Sequence, residues 1–562
     1  MAMGTRKHRQ RQEPLWVTQS ELATGPGHPF YERLGSLLEA EKFDEFVEKE
    51  CAQFYAESNG RPSLSPGIYF RALMIGYFEG IDSERGIAWR IADSLGLRRF
   101  LQIGLDESTP NHSTISRTRR LIDLETHRKV FGWVNALLAD RGLLKGKMVG
   151  IDATLLEANA AMRSIVRRDN GQKYEEFLTD LAKQSGIATP SREDLARIDR
   201  KREKKGSNQE WESETDADAR IAKMKDGSTH MAHKAEHAVD MESGAVVAVT
   251  LQGADQGDTT TIRQTLAEAG EAVVDLIVRE AVEMPEVQPQ VCVNGISEVV
   301  ADKGYHSGAT VRALEQAQVR TYIPEPKRAR QRNWEGKAEE QRAVYANRRR
   351  VRGRHGKRLL KKRGELIERS FAHCYETGAM RRTHLRGREN ILKRLLIHVG
   401  TFNLSLILRR MLGAGTPREL GNRLSGLIFW FLGVQIGRQT LALGLGGCIS
   451  VEITSDLPIT GSENLNNERW RRSRNQGVVP RAARTYYHFR HDHSLSSSKQ
   501  RQYWNRRRSR RRPLVYRGEL QHWTHHHDWS DNSIPCPDAE QCPVFHHRGI
   551  RRRVVVHRIR RK

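Results

Sequence analysis

The sequence predicts a helical N-terminal region, then a mixed α/β domain with helices flanking its sheet, then a basic tail of low order. Three observations carry this. Apolar residues recur at helical spacing from about residue 30 to 145. Short apolar runs that end in an acidic residue begin at Lys147. From about residue 448, apolar periodicity is lost and arginine takes over. A chain of 562 residues is too long for one compact core, so two or three domains are expected. Their expected spans are 1–145, 146–420 and 421–562.

In the first region, YERLGSLLEAEKFDEFVEKECAQFYAES places Leu34, Leu37, Leu38, Phe43 and Phe46 on one broad face. Pro62 and Pro66 break it, and IYFRALMIGYFEGI resumes as a second apolar helix. The segment from Ser83 to Ile122 has the pattern of a helix-turn-helix. Its second helix is expected to begin near Ser113 and to present Arg117, Arg119 and Arg120 to DNA. An ordinary helical bundle with solvated arginines fits the same pattern.

In the second region, KMVGIDATLLEA reads as a buried strand that delivers Asp152. The charged stretch from about 163 to 225 reads as an insertion, part helical and part mobile. MAHKAEHAVDMESGAVVAVTLQ reads as two strands around a Glu242-Ser243-Gly244 turn. A helix follows (TTTIRQTLAEAGEAVVDLIV), then EVVADKGYHS, a second apolar run meeting an acid. The basic segment Gln331–Leu360 leads into KKRGELIERSFAHCYETGAMRR, which reads as a helix. Strands and helices in this order suggest a mixed sheet flanked by helices.

Lys and Arg number 94 against 68 Asp and Glu, a formal charge of +26. A surplus of that size points to a polyanionic partner, since each cation that meets a phosphate releases a condensed counterion. Six cysteines without CxxC pairing suit a reducing compartment. The basic N-terminus has no apolar run behind it and does not read as a secretory signal. Gln435, Arg438 and Gln439 interrupt the most apolar stretch, Leu427–Leu445. No membrane span is therefore expected, and the chain reads as cytoplasmic.

Three carboxylates stand out by context: Asp152 after MVGI, Asp302 after EVVA, and Glu368 in a helix after ELI. They lie 150 and 66 residues apart, yet two strand-end aspartates and a helical glutamate can converge in a fold of this class. Such an oxygen cluster suits Mg²⁺ or Mn²⁺. A pair of those ions can activate an attacking oxygen and stabilise the leaving one. An aspartate after an apolar run also serves as a strand terminator or a helix cap.

IDATLLEANAAMRSIVRRD, VVADKGYHS and IERSFAHCYETGAMRRTHLRGRENILKRLLIHVGTFNLSLILRRM resemble, in order, the three catalytic blocks of bacterial insertion-sequence DDE transposases. RPSLSPGIYFRALMIGYFEGIDSERGIAWRIADSLGLRRFL and PNHSTISRTRRLI resemble the N-terminal helical region of that group, so the likeness runs from about 30 to 415. The resemblance implies an RNase H-like catalytic core with Asp152, Asp302 and Glu368 as catalytic acids holding two Mg²⁺ or Mn²⁺ ions. It implies double-stranded DNA as partner, both terminal inverted repeats and target, and at least a homodimer in the DNA complex. It also implies cleavage at the element ends followed by strand transfer. Arg369 follows the glutamate, as is common in the family. Tyr375 stands where some relatives carry a lysine, so that extended signature is missing, and Glu365 and Glu376 compete for the third position. Two alternatives stay open: an inactive DNA-binding remnant, or a nuclease of similar fold that does not join.

Lys303 and Tyr305, directly after Asp302, are placed to touch the scissile phosphate or a flanking base, or to act structurally. Arg348, Arg349 and Arg350 in the basic run are expected on the phosphate backbone, with Trp334 as a packing anchor or a base-stacking platform. His230, His233 and His237 recur at spacings of three and four, but a strand there would split them between faces, so no zinc site is expected.

Residues 448–562 hold 22 Arg, 2 Lys and 10 acids, and ten of the 22 histidines. That bias resembles out-of-frame translation of GC-rich DNA or a fusion into downstream sequence. Cys536, Cys542, His546 and His547 match no strong zinc spacing. A chain ending near residue 420 should therefore keep the solubility and activity of the full chain. Loss of either on truncation, measured by expression and DNA cleavage, would show the tail to be an evolved domain.

Overall fold

The structure is a computed structural model that describes residues 27–56, 63–202, 206–224, 226–286, 288–327 and 332–423. The four tail residues considered for zinc lie outside these.

Seven helices come first: α1 (Pro29–Ala40), α2 (Phe43–Cys51), α3 (Pro66–Phe78), α4 (Glu84–Ala92), α5 (Leu95–Phe100), α6 (His112–Leu121) and α7 (Leu124–Asp140). Side-chain caps fix several starts: Ser83, Ser94, Asn111 and Asp123 each accept a backbone N–H from the first turn. The single helix expected from residue 31 onward is instead two, because Lys42 takes a left-handed φ of 53°. No Gly or Pro marks that break, so periodicity alone runs straight through it. Leu34, Leu37, Leu38 and Phe43 are all buried, as the apolar face requires.

The expected strand is β1 (Met148–Glu157). The insertion then forms β2 (Ile165–Arg167), α8 (Tyr174–Gln184), α9 (Arg192–Lys201) and β3 (Trp211–Ser213). It carries small cores of its own, around Ile165 and Trp211 and around Leu178 and Leu195. Next come β4 (Arg220–Lys223), then β5 (Thr229–Asp240) and β6 (Val246–Gly253), which form the hairpin read from the sequence. Gly244 holds its turn at φ 83°, and Asp240 accepts the N–H groups of Glu242 and Ser243. The remaining elements are α10 (Asp258–Glu283), β7 (Glu298–Ala301), α11 (Gly308–Gln316), β8 (Arg320–Tyr322), α12 (Ala338–Arg352), α13 (Arg354–Phe371) and α14 (Arg388–Leu412). A single π-helical turn, Ala372–Thr377, extends α13.

The main sheet is mixed, in the order β4-β5-β1-β7-β8, with β6 also paired to β5. β5 runs antiparallel to β1, β4 and β6, whereas β1, β7 and β8 are parallel. Helices cover both faces. Gly150 of β1 meets Arg363 and Ile367 of α13, while Glu236 of β5, beside Ala153, meets Thr261 and Thr265 of α10 on the other side. The two-residue period of a strand makes those faces opposite.

α14 joins the two predicted regions. It is long and apolar enough to cross a membrane, but it is buried along nearly its whole length against α3, α7 and β6. Its Asn403 side chain accepts Val246 N–H and donates to Val246 O and Asn135 Oδ1, at 2.8–2.9 Å. One hydrophobic core therefore serves the helical and the α/β parts together.

Three histidines in this core, His127, His237 and His398, are buried and their pKa values fall to about 4, 3 and 3, chiefly because burial disfavours the charged ring. The unfolded chain protonates them below about pH 6.5 while the folded chain keeps them neutral, so their contribution is full above that pH and is lost as pH falls. Stability should drop by about 1.4 kcal/mol per pH unit for each ring. Urea midpoints should be clearly lower near pH 5 than near pH 7.5.

Candidate active site

Strand register brings the first two acids together. β1 and β7 are parallel with Ile151 opposite Ala301, so the next residues, Asp152 and Asp302, stand side by side on the α13 face. Asp302 leaves the end of β7, but Asp152, expected at a strand end, lies midway along β1, which stays paired to β5 as far as Glu157. Asp302 then opens a turn of 3₁₀ helix over Lys303–Tyr305. The carboxyl of Asp152 is pushed above its usual range, first by burial and further by the charge of Asp302, against the lowering effect of Arg363 and the Ala153 N–H. Arg363 of α13 donates through Nη1 to Asp152 Oδ2 at 2.9 Å and to Ile151 O at 3.2 Å.

α13 crosses the sheet from β8 to β5, and His237 anchors its end. Ser370 gives its hydroxyl proton to Ile367 O at 2.8 Å, so it accepts from His237 Nδ1 at 3.1 Å. His237 Nε2 then accepts from Tyr375 Oη at 2.6 Å. This pattern needs a neutral ring, consistent with its depressed pKa.

Glu368 lies one position around the helix from the buried Ile367, and it is exposed. Its carboxylate makes no ion pair among the described residues, whereas Glu365 pairs with Lys361 and Glu376 with Arg381. No group of three or more His, Cys, Asp or Glu side chains stands ready to hold a metal among the described residues. The structure thus gathers Asp152 and Asp302 and leaves Glu368 outside that pair.

The basic residues divide into two sets. Arg117, Arg120, Lys303 and Arg349 are exposed. Arg119 corrects the sequence expectation: it is 7 % exposed and joins α6 to Glu84 of α4 and Asn390 of α14. Arg348 grips Glu325 through two nitrogens at 2.6 and 3.2 Å, and Arg350 bonds Thr321 O at 3.0 Å. Those two contacts hold α12 against β8 and its following loop. Arg369 is half-buried and leans over Gly244. Trp334 packs edge-on against Tyr345, which favours the anchor over the base platform.

The histidines go separate ways: His230 to Glu157, His233 to Asp216, His237 to α13. Tyr305 faces no solvent. It donates to Glu236 Oε1 at 2.6 Å, and Glu236 also accepts from Thr261 and Thr265 of α10. This buried carboxylate, raised in pKa mainly by burial, ties the turn after Asp302 to the opposite face of the sheet. Glu236 and Arg363 were not evident as site residues in the sequence. The only signal for Glu236 was an acid inside an apolar alternating strand, and Arg363 was one cation in a dense run.

Comparison with known proteins gives the family. A profile described as "Transposase domain" matches residues 18–121, and one described as "Transposase DDE domain" matches 198–404. Together they span more than half of the chain. The chain belongs to the DDE transposase family. The second match includes Asp302 and Glu368 and begins after Asp152. A search of curated proteins gave no match to the transposase. Among solved structures, the "Mos1 transposase paired-end complex with left transposon end" matches at 10% identity over 58% of the transposase and 82% of its own chain. Its TM-score of 0.14 is too low to carry any weight.

Tyr305→Phe should leave Glu236 short of a donor inside the transposase. A loss of about 1–3 kcal/mol is expected on denaturant unfolding, with no comparable loss for Tyr345→Phe at the exposed Tyr345.

Proposed function

We propose that this transposase binds the terminal inverted repeats of an insertion sequence, cleaves DNA at each end and joins the freed ends to target DNA. The observation that carries the reading is the parallel register that sets Asp152, midway along β1, beside Asp302, just past the end of β7, on a mixed sheet covered by helices. Adjacent carboxylates demand positive charge, and here a guanidinium already supplies it. That donor set suits Mg²⁺ or Mn²⁺, with Glu368, unpaired on α13, as the third ligand. Two such ions, when bound, would polarise the phosphate, activate the attacking oxygen and stabilise the leaving one.

The chain's own residues orient the reaction. β1 and β7 fix the two aspartates, Glu236 holds the turn behind Asp302, and the His237 cluster seats α13. In cleavage, a water oxygen bonds to phosphorus as the P–O3′ bond breaks, leaving a 3′-hydroxyl on the element end. In joining, that 3′-oxygen attacks a target phosphorus and the target's P–O3′ bond breaks. Arg117, Arg120, Lys303 and Arg349 are exposed cations available to phosphates, and Arg369 lies on α13 next to Glu368. Pairing two ends requires at least a dimer, and bacterial DNA places the work in the cytoplasm.

The separation of Glu368 from the aspartate pair favours one rival, a DNA-binding remnant that has lost catalysis. Cleavage of DNA carrying the element's own ends, with Mg²⁺ or Mn²⁺, decides between them. Wild type should nick in a metal-dependent way and Asp302→Ala should lose at least about a hundredfold in rate. Binding without cleavage in both proteins would favour the remnant, and cleavage without strand-transfer products would favour a nuclease.

A further inference from the structure

One cation of α13 points into the site rather than out to solvent. The Arg363 side chain, 12% exposed, runs over Gly150 of β1 before its Nη1 reaches Asp152 and Ile151 O. Gly150 makes that path possible: a Cβ there would stand 3.1 Å from Arg363 Cγ and 2.7 Å from Met241 Sδ. A glycine at mid-strand is costly, and here it opens a channel for a cation.

The guanidinium is only partly used. Nη1 makes both of its hydrogen bonds, Nε is buried with no partner, and Nη2 makes none among the described residues. An arginine engaged through one nitrogen keeps the rest of its planar fork for another oxygen ligand, and a phosphate suits that geometry. Nη1 also sits against Asp152 Oδ2, so a divalent ion binding that oxygen must first displace it.

We propose that Arg363 is a built-in counter-ion that competes with the divalent cation for Asp152 and turns to the phosphate when DNA arrives. Metal loading and DNA binding then favour each other, because each removes the other's competitor. This rests on the metal reading of Asp152, and its test separates the two. Mn²⁺ binding to the full-length protein, followed by electron paramagnetic resonance without DNA, should tighten about tenfold or more in Arg363→Met. That variant keeps an apolar stem over Gly150, and Arg363→Gln serves if it does not fold. Arg363→Lys, which keeps the charge, should stay near wild type. Adding duplex DNA should tighten Mn²⁺ binding in wild type and not in Arg363→Met. Equal affinities in wild type, Arg363→Met and Arg363→Gln without DNA would overturn the proposal while leaving the metal reading intact. Wild-type Mn²⁺ binding in Asp152→Asn would instead remove the metal reading itself.

Discussion

Two carboxylates side by side on neighbouring parallel strands repel each other, and a fold that places them there must supply a cation or protonate one of them. In this transposase the constraint is built into the register of β1 and β7, which leaves Asp152 and Asp302 no freedom to separate. Much of the surrounding structure serves that pair. Arg363 offsets the charge from the α13 side, and from the opposite face Glu236 and Tyr305 fix the turn that Asp302 begins. The sheet is thus loaded from both faces at one point.

The end of the helix that carries Glu368 is seated by neutral contacts, while its Arg363 is ion-paired to Asp152 further back along the helix. Ser370, Tyr375 and His237 form a closed hydrogen-bonded set in which each proton has one place to go. Such a set is directional and tolerates no net charge, so it fixes how the end of α13 seats on β5. The π-helical turn directly after it shifts the phase of the chain, and that shift brings Tyr375 back toward β5.

Much of this was legible in the sequence, for identifiable reasons. β1, the β5–β6 hairpin and α10 follow from apolar patterning and from a turn with glycine at the left-handed position. Asp152 and Asp302 are visible because an apolar run that meets an acid is a local pattern, although β1 runs on past Asp152 to Glu157 and only Asp302 follows a strand end. The break at Lys42 was not visible, since it rests on a backbone angle that no residue type announces. Arg119 was misread because burial depends on Glu84 and Asn390, the latter 271 residues away. The roles of Glu236 and Arg363 also depend on distant partners, and a sequence pattern holds no record of which side chains a fold will bring together.

The placement of α14 has a consequence for how the protein is made. A growing chain releases α3 and α7 long before residues 388–412, yet those helices need α14 to cover them. The helical region therefore stays without its central partner until almost all of the α/β region has been synthesised. A prematurely terminated chain lacks the helix that completes the N-terminal fold.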